Sequence, residues 1–210
     1  MTLPDSSLET VRASLRASLR RLRRSIPRGE RARAALLVAH AADRQLHLRR
    51  GLRVGLYAAT AEELDTRELI ALAMRRGCRV YLPRISGHHL ARCMHFVESG
   101  ARQRRNRYGI AEPHGRVLPS ARSLDIVFVP LVGFDQRGAR LGMGGGYYDR
   151  ALAFRKLRGI WRAPLLVGIG FALQEIAHIT PATHDVPLDL VITERAVIHC
   201  AGPWRAHPAA

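Results

Sequence analysis

The sequence is poor in cysteine and has no long apolar run. Three of its 210 residues are cysteines, Cys78, Cys93 and Cys200, and no two of them form a Cys-x-x-Cys pair. A disulfide framework or a structural zinc site is therefore not expected, and we interpret all three as reduced, buried thiols. The longest apolar stretches, such as "APLLVGIGFAL", are shorter than a bilayer helix requires, and no signal-peptide core follows the start. These absences predict a cytoplasmic protein that does not associate with membranes.

Lysine is almost absent as well, although the chain is strongly basic. The formal net charge is +17 and Lys156 is the one lysine, so arginine supplies nearly all of the positive charge. A charge of this size is typical of proteins that bind the phosphate backbone of nucleic acids. The arginines are spread along the whole chain, however, and no zinc finger, helix-turn-helix or RNP aromatic motif accompanies them. We therefore expect no specific nucleic-acid partner, and a basic nucleic-acid-binding protein remains the alternative functional class. We also expect the protein to be a monomer.

Hydrophobic periodicity predicts an α/β fold for residues 1–210, which we interpret as a single domain. Helical spacing covers Leu8 to Ser25 and Arg28 to Leu46, and "RVGLYAA", "AEELDTRELIALAMRRG" and "RVYLPRI" follow as strand, helix and strand. A hairpin strand from His88 to Phe96 and the loop "NRYGIAEP" come next, followed by three apolar strands in "LDIVFVPLVGF", "LLVGIGF" and "LVITE". This order predicts three layers, in which helices flank an open, mostly parallel sheet.

The stretch "RLGMGGGYYDR", Arg140 to Arg150, places four glycines in five residues between a buried strand and a predicted helix. Glycine lets backbone N–H groups approach a ligand closely, and helix N-termini bind anions, so phosphate is the expected ligand. Two familiar phosphate motifs do not match, because a P-loop needs Gly-Lys-Ser/Thr here and a dinucleotide fingerprint counted from Gly142 needs glycine at Tyr147. Since open sheets bind ligands at the carboxyl ends of their strands, we expect Tyr57 to Glu63, Asp135 to Tyr148 and Thr183 to Asp189 to share one cleft.

Two further patterns offer polar side chains at regular spacing. In the first predicted helix an arginine row lies beside the apolar stripe, and the sequence leaves open whether the row binds a ligand or is a solvated face. The stretch "HHLARCMH" offers conceivable metal ligands, but its period-two alternation fits a strand with outward-facing histidines better. The arginine row is Arg12, Arg16, Arg20 and Arg23, and the conceivable ligands are His88, His89, Cys93 and His95.

The sequence resembles the 5-formyltetrahydrofolate cyclo-ligase family over nearly its whole length. Five motifs occur in family order: "LRASLRRLRR", "EELDT", "RYGIAEP", "VPLVGFDQRGARLGMGGGYYDR" and "THDVPLDLVITE". The resemblance implies an enzyme that uses ATP and magnesium to cyclise 5-formyltetrahydrofolate to 5,10-methenyltetrahydrofolate, releasing ADP and phosphate. It also implies an open sheet like that of acyl-CoA transferases and sugar-phosphate isomerases. A basic surface would suit a polyglutamylated folate.

The resemblance assigns roles to individual residues. It implies magnesium ligation by Asp149 and Asp185, whose hard carboxylate oxygens suit that ion. Glu63 would accept hydrogen bonds from the pterin, and Ala58 would line the folate pocket. The implied ATP-binding residues are Arg12, Arg16, Arg140, Leu141, Gly142, Met143, Gly144, Gly145, Gly146, Tyr147 and Tyr148, and those from Met143 to Tyr147 would also contact folate.

Several alternatives stay open at this stage. Glu62 competes with Glu63 for the pterin contact, and Asp149 and Asp185 also suit a helix start and a turn. Aromatic residues Tyr57, Phe134 and Tyr147 would sandwich the pterin or belong to the core. Some family members have a basic residue at Met143 or Gly145, which leaves the number of charged contacts with ATP undecided. An acyl-CoA transferase-like or sugar-phosphate isomerase-like enzyme, with a catalytic carboxylate, is the second alternative function.

Overall fold

A computed structural model describes residues 5–86, 93–99, 102–105, 111–114, 117–118, 120–156 and 163–200. Two long helices come first, α1 (Asp5–Ser25) and α2 (Arg28–Leu46), as the periodicity predicts. Pro27 separates them, since its fixed φ of −58° starts a new helix without losing a needed backbone donor. Two shorter helices follow, α3 (Arg67–Arg75) and α4 (Tyr147–Ala151). None of these described helices has an apolar stretch long enough to cross a bilayer.

In chain order the described strands are β1 (Arg53–Gly55), β2 (Arg79–Ser86), β3 (Cys93–Glu98), β4 (Arg102–Arg105), β5 (Ala111–His114), β6 (Ile126–Pro130), β7 (Gly133–Phe134), β8 (Arg140–Leu141), β9 (Leu165–Ile169), β10 (Leu190–Ile192) and β11 (Val197–His199). Seven of them form a sheet at the centre of the molecule, in the order β11-β10-β9-β6-β1-β2-β3. Neighbouring strands pair in parallel from β10 through to β2, and β3 and β11 add antiparallel edges. This arrangement confirms the predicted open, mostly parallel α/β sheet.

The sheet is buried on both faces, which explains the continuous apolar runs of its strands. Side chains alternate between two core clusters: Phe128 of β6 packs with α2 and α3 on one face, whereas Val127 and Val129 pack on the other. A third, smaller cluster lies at the carboxyl end of the parallel strands, where Leu19 of α1 packs against Leu141. Helix α1 is thereby held across the end of the sheet where ligands of such folds bind.

Several local predictions were wrong. The helix predicted from Ala61 begins only at Arg67, because residues 60–63 form a turn in which the Glu63 N–H donates to the Thr60 carbonyl. Asp65 then accepts the Arg67 N–H, a helix-start signal that the apolar spacing obscured. Part of the predicted loop "NRYGIAEP" is strand β5, paired with β4, and residues 106–110 of it lie outside the described residues.

Three further predictions, on the helix after the glycine loop, the hairpin strand and the cysteines, are confirmed only in part. The helix predicted after the glycine loop is the five-residue α4 followed by a 3-10 turn. Strand β3 confirms part of the predicted hairpin strand, whereas His88 and His89 lie outside the described residues. Cys78 and Cys200 are buried as predicted, but Cys93 is exposed because it begins β3 at the edge of the sheet.

Asp135 holds together the hairpin of β7 and β8, which carries Arg140. Its carboxylate is 0% exposed. It accepts the backbone N–H groups of Arg137 and Ala139 at 3.0 Å each and that of Ile179 at 3.1 Å. The turn between the two strands and the segment near Ile179 are therefore fixed by one side chain.

We predict that Asp135→Ala lowers the free energy of unfolding by about 3 kcal/mol, because it leaves buried backbone donors without an acceptor. The neighbouring Gln136→Ala is a matched control, since Gln136 is exposed and, within the described part of the chain, its side chain donates one hydrogen bond, to Glu175. The control should change stability by less than about 0.5 kcal/mol. Urea unfolding of both variants measures the difference, and equal effects would contradict this role of Asp135.

Candidate functional site

A cavity of about 650 Å³ opens at the carboxyl ends of the parallel strands. The segments after β1, around the glycine loop and before β10 all contribute to it, so the predicted shared cleft exists. The cavity brings together fourteen of the residues that sequence reasoning assigned to a site. They are Arg12, Arg16, Ala58, Glu63, Arg140, Gly142, Met143, Gly144, Gly145, Gly146, Tyr147, Tyr148, Asp149 and Asp185.

Some residues lie elsewhere than expected. Leu141 is fully buried in the core beneath α1, so its side chain does not line the cavity. Phe134 is also buried in the core, whereas Tyr57 and Tyr147 line the cavity. Sequence reasoning missed other residues that line the cavity. Two of them, Pro83 and Pro130, could have been found from the sequence, because each is a proline in the carboxyl-terminal half of a strand, β2 or β6, and ligands of such sheets bind at that end. The missed residues are Glu9, Pro83, Ile85, Met94, Pro130, Leu131 and Ala182, whereas Thr60 and His184 lie in segments that were expected to share the cleft.

The glycine loop needs its glycines for different reasons. Gly144 and Gly146 have φ values of +91° and +61°, which residues with a side chain rarely adopt. A Cβ at Gly145 would come within 2.8 Å of the Tyr147 ring. At Gly144 the nearest heavy atom to such a Cβ is Cζ of Arg16, at 3.8 Å. Backbone at this position therefore faces open space next to a guanidinium group, as a phosphate-binding loop requires.

Arg140 connects the glycine loop to the segment before β10. Its Nη2 donates to Oδ1 of Asp149 at 2.6 Å, and its Nη1 donates to the Val186 carbonyl. The Val186 N–H in turn donates to the same Asp149 oxygen at 3.0 Å. This closed network is nearly buried and places Asp149 beside Asp185, the residue that precedes Val186.

Helix α1 supplies two more guanidinium groups. Arg12 donates from Nη1 to Oδ2 of Asp185 at 2.9 Å and to the Thr180 carbonyl at 3.0 Å. Arg16 donates from Nε to the Gly142 carbonyl at 2.9 Å and from Nη1 to Glu9 at 2.7 Å. The first two members of the predicted arginine row therefore contact the cavity and are not merely a solvated face.

The donor set suits a hard divalent cation. Asp149 and Asp185 each use one carboxylate oxygen in the contacts above, and the other oxygen, Oδ2 of Asp149 and Oδ1 of Asp185, accepts no hydrogen bond from the described residues. Among the residues that the structure describes, no group of three or more His, Cys, Asp or Glu side chains is arranged to hold a metal ion by itself. An ion here would therefore take two carboxylates from the protein and complete its shell with water or ligand oxygens, as magnesium commonly does.

The two adjacent glutamates have different surroundings. Glu63 lines the cavity, and its Oε2 accepts the Thr60 N–H at 2.8 Å. Glu62 faces α1, where Arg20 donates to both of its oxygens at 2.9 and 3.0 Å. Of the two candidates for a pterin contact, only Glu63 faces the cavity. The hydrogen bonds from Arg20, reinforced by Arg24, lower the pKa of Glu62 from 4.5 to about 2.

Two phenols complete the side of the cavity near Glu63. Burial raises the pKa of Tyr57 and of Tyr148, and the negative charge of Glu63 raises both further. Both side chains therefore remain neutral hydroxyl groups at physiological pH. The Tyr148 hydroxyl is buried and has no hydrogen-bond partner among the described residues.

The depressed pKa of Glu62 predicts an acid-sensitive contribution to stability. Because the pKa falls from 4.5 to about 2 on folding, this contribution is complete above pH 4.5 and is lost as the pH falls toward 2. In urea unfolding, the wild-type protein should be more stable than Glu62→Gln at neutral pH, and this advantage should shrink within that window. An advantage that stays constant down to pH 2 would contradict the ion pairing of Glu62.

The chain is similar to one protein family over most of its length. The model of the 5-formyltetrahydrofolate cyclo-ligase family matches residues 9–194. The 5-formyltetrahydrofolate cyclo-ligase of Haemophilus influenzae is 31% identical, over 84% of this chain and 94% of its own length. That of Escherichia coli K12 is 36% identical, over 69% of this chain and 79% of its own. The NMR structure of Aquifex aeolicus 5,10-methenyltetrahydrofolate synthetase has a TM-score of 0.78 at 25% identity, covering 95% of this chain and 96% of that one.

Proposed function

The chain belongs to the 5-formyltetrahydrofolate cyclo-ligase family, and we propose that it converts ATP and 5-formyltetrahydrofolate to 5,10-methenyltetrahydrofolate, ADP and phosphate. One observation carries the proposal for this site. A single cavity joins a glycine loop flanked by arginines to a wall formed by Tyr57, Ala58 and Glu63. A nucleotide and a folate would lie side by side there, as transfer between them requires.

The chemistry explains why both substrates must share the cavity. The formyl oxygen is a poor leaving group, so the γ-phosphoryl group of ATP is transferred to it and ADP is released. N10 then attacks the activated formyl carbon and loses its proton, and phosphate leaves with the former formyl oxygen. Phosphoryl transfer of this kind depends on positioning and charge neutralisation more than on a covalent contribution from the protein.

The nucleotide phosphates would lie against the glycine loop. Residues 142–146 offer backbone N–H groups, and Arg16 already contacts the loop through the Gly142 carbonyl. Arg12 and Arg140 flank the same end of the cavity and are held by Asp185 and Asp149. Leu141 would contribute its backbone only, since its side chain is in the core. Tyr147 and Tyr148 follow the loop at the start of α4 and also line the cavity.

The folate would occupy the end formed by the segment after β1. The Glu63 carboxylate would accept hydrogen bonds from the pterin amino group and ring N–H, because its Oε1 accepts none from the described residues. Tyr57 and Tyr147 offer aromatic surface to the ring, and Ala58 leaves room for it. Met143 to Tyr147 would contact both substrates, because the transferred phosphoryl group must lie between the nucleotide and the formyl group.

Magnesium would be held by Asp149 and Asp185, through the carboxylate oxygens that accept no hydrogen bond from described residues. When bound, the ion would neutralise charge on the phosphate oxygens during transfer. Holding the two carboxylates in place is the work of Arg140, Arg12 and the Val186 and Ala182 N–H groups.

The remaining proposals concern partners and place. We propose that the protein is a cytoplasmic monomer. We also propose that it binds no specific nucleic acid, because its positive charge is spread along the chain and no motif that reads bases accompanies it. The same surface charge favours a polyglutamylated folate over the monoglutamate.

The direct test is to mix purified protein with magnesium, ATP and 5-formyltetrahydrofolate and to follow the methenyl chromophore. Product should form only when all three are present, with one ADP released for each methenyl group. Absence of product at saturating substrate concentrations would refute the proposed function.

The glycine loop provides a matched pair of variants. Gly144 and Gly51 both have a φ of +91°, and within the described structure neither has a close neighbour for a Cβ, but Gly51 is in the turn before β1 and does not line the cavity. Valine at either position should therefore cost a similar backbone strain of about 1–3 kcal/mol.

We predict that Gly144→Val lowers turnover by about 100-fold or more, because the strained loop and its methyl groups displace the phosphates. Gly51→Val should keep turnover within about twofold despite the same backbone strain. Thermal unfolding, ATP binding and methenyl formation should be measured for both. Similar activity in the two variants would show that the glycine loop only connects β8 to α4 and does not bind the phosphates.

A further inference from the structure

Glu62 and Glu63 share one turn but face different parts of the molecule. Glu63 lines the cavity, whereas Glu62 points to the guanidinium groups of α1. We propose that Glu62 is a positioning residue for the reaction: it fixes the turn of residues 60–63 to α1 and thereby holds the Glu63 carboxylate toward the folate. The inference rests on the proposed function, in which Glu63 binds the pterin.

Three arginines of α1 converge on the Glu62 carboxylate. Arg20 donates from Nε and Nη2 at 2.9 and 3.0 Å, and Arg24 donates from Nε at 2.8 Å and also from Nη2. Arg23 adds a longer contact at 3.4 Å. The paired contact of Arg20 with both oxygens fixes the position and the plane of the carboxylate, and Arg24, one turn further along the helix, adds two donors to Oε1.

Arg23 ties this cluster to the cavity wall. Its side chain is 2% exposed, so Glu62 is a counter-charge for a buried cation. The Nη1 of Arg23 donates to the carbonyl of Leu131, a residue that lines the cavity, at 3.3 Å. Loss of the Glu62 charge would therefore disturb the wall next to Glu63 as well as the turn.

The backbone of the turn is held from its other side by α2. Nη2 of Arg31 donates to the carbonyls of Ala61 and Glu63 at 2.7 and 2.9 Å, and its Nη1 donates to the Arg23 carbonyl at 2.9 Å. Within the described residues, the Glu63 carboxylate accepts one hydrogen bond, from the Thr60 N–H of its own turn. The direction of the Glu63 carboxylate is therefore set by the turn, and the turn is set by Glu62 and Arg31.

The experiment is a double-mutant cycle on folate binding. The dissociation constants of 5-formyltetrahydrofolate and of ATP are measured for wild type, Glu62→Gln, Glu63→Gln and the double variant. Glu62→Gln should weaken folate binding about tenfold and leave ATP binding within about twofold. If Glu62 acts through Glu63, the double variant should bind folate within about twofold of Glu63→Gln alone.

A structural control separates positioning from general destabilisation. Asp43 of α2 accepts a paired contact from Arg76, at 3.1 Å from Nε to each oxygen, and lines no part of the cavity. Asp43→Asn should lower stability without changing either dissociation constant. If Glu62→Gln does not fold, Arg24→Gln takes its place in the experiment, because this substitution removes one exposed partner of Glu62 and keeps Arg20 and Arg23. It should weaken folate binding in the same direction by a smaller factor.

The possible failures are distinguishable. Additive effects of the two substitutions, or normal folate binding in Glu62→Gln together with weak binding in Glu63→Gln, would overturn only the positioning role. Normal folate binding in Glu63→Gln would overturn both that role and the pterin contact of Glu63. Absence of folate binding by the wild-type protein would refute the proposed function itself.

Discussion

The whole site depends on the contacts that the row of arginines on α1 makes with three separate segments of the chain. Positions 12, 16 and 20 are four residues apart, so they lie along one side of the helix, and each reaches a different segment. Arg12 pairs with Asp185 before β10, Arg16 bonds to the glycine loop, and Arg20 pairs with Glu62 after β1. These segments belong to strands that are far apart in the chain, and a single helix sets their spacing.

Charge balance explains how so basic a chain keeps a defined cavity. Arg12 and Arg140 each pair with an aspartate, and Arg20 shares Glu62 with Arg23 and Arg24. These carboxylates reduce the electrostatic repulsion between the guanidinium groups. The end of the cavity at the glycine loop therefore holds cations and carboxylates in pairs. A ligand that brings anionic oxygens together with a divalent cation adds both signs at once and preserves this balance, whereas an anion alone must compete with the aspartates for the arginines.

Patterns along the chain predicted the sheet, the glycine loop and the arginine row, because each depends on local periodicity or on a run of one residue type. They did not predict the turn at residues 60–63, where Asp65 and Thr66 override the apolar spacing of a longer helix. Nor could they separate Glu62 from Glu63, since the distinction depends on where α1 packs. Phe134 was ambiguous for the same reason: an aromatic residue at a strand end reaches the core or the cavity according to its tertiary neighbours.

The loop also shows why its cations must come from outside it. Between Arg140 and Arg150 it has no basic side chain, and Met143 is an apolar residue with 56% of its surface exposed at the cavity. Gly145 cannot gain a side chain unless the Tyr147 ring moves, because a Cβ there would come within 2.8 Å of it. Positive charge therefore reaches the loop from Arg140 at its start, from Arg150 of α4, whose guanidinium lies beside Gly146, and from Arg16 of α1, whose guanidinium lies beside Gly144. A helix far away in the sequence thus supplies one of the charges that the loop itself lacks.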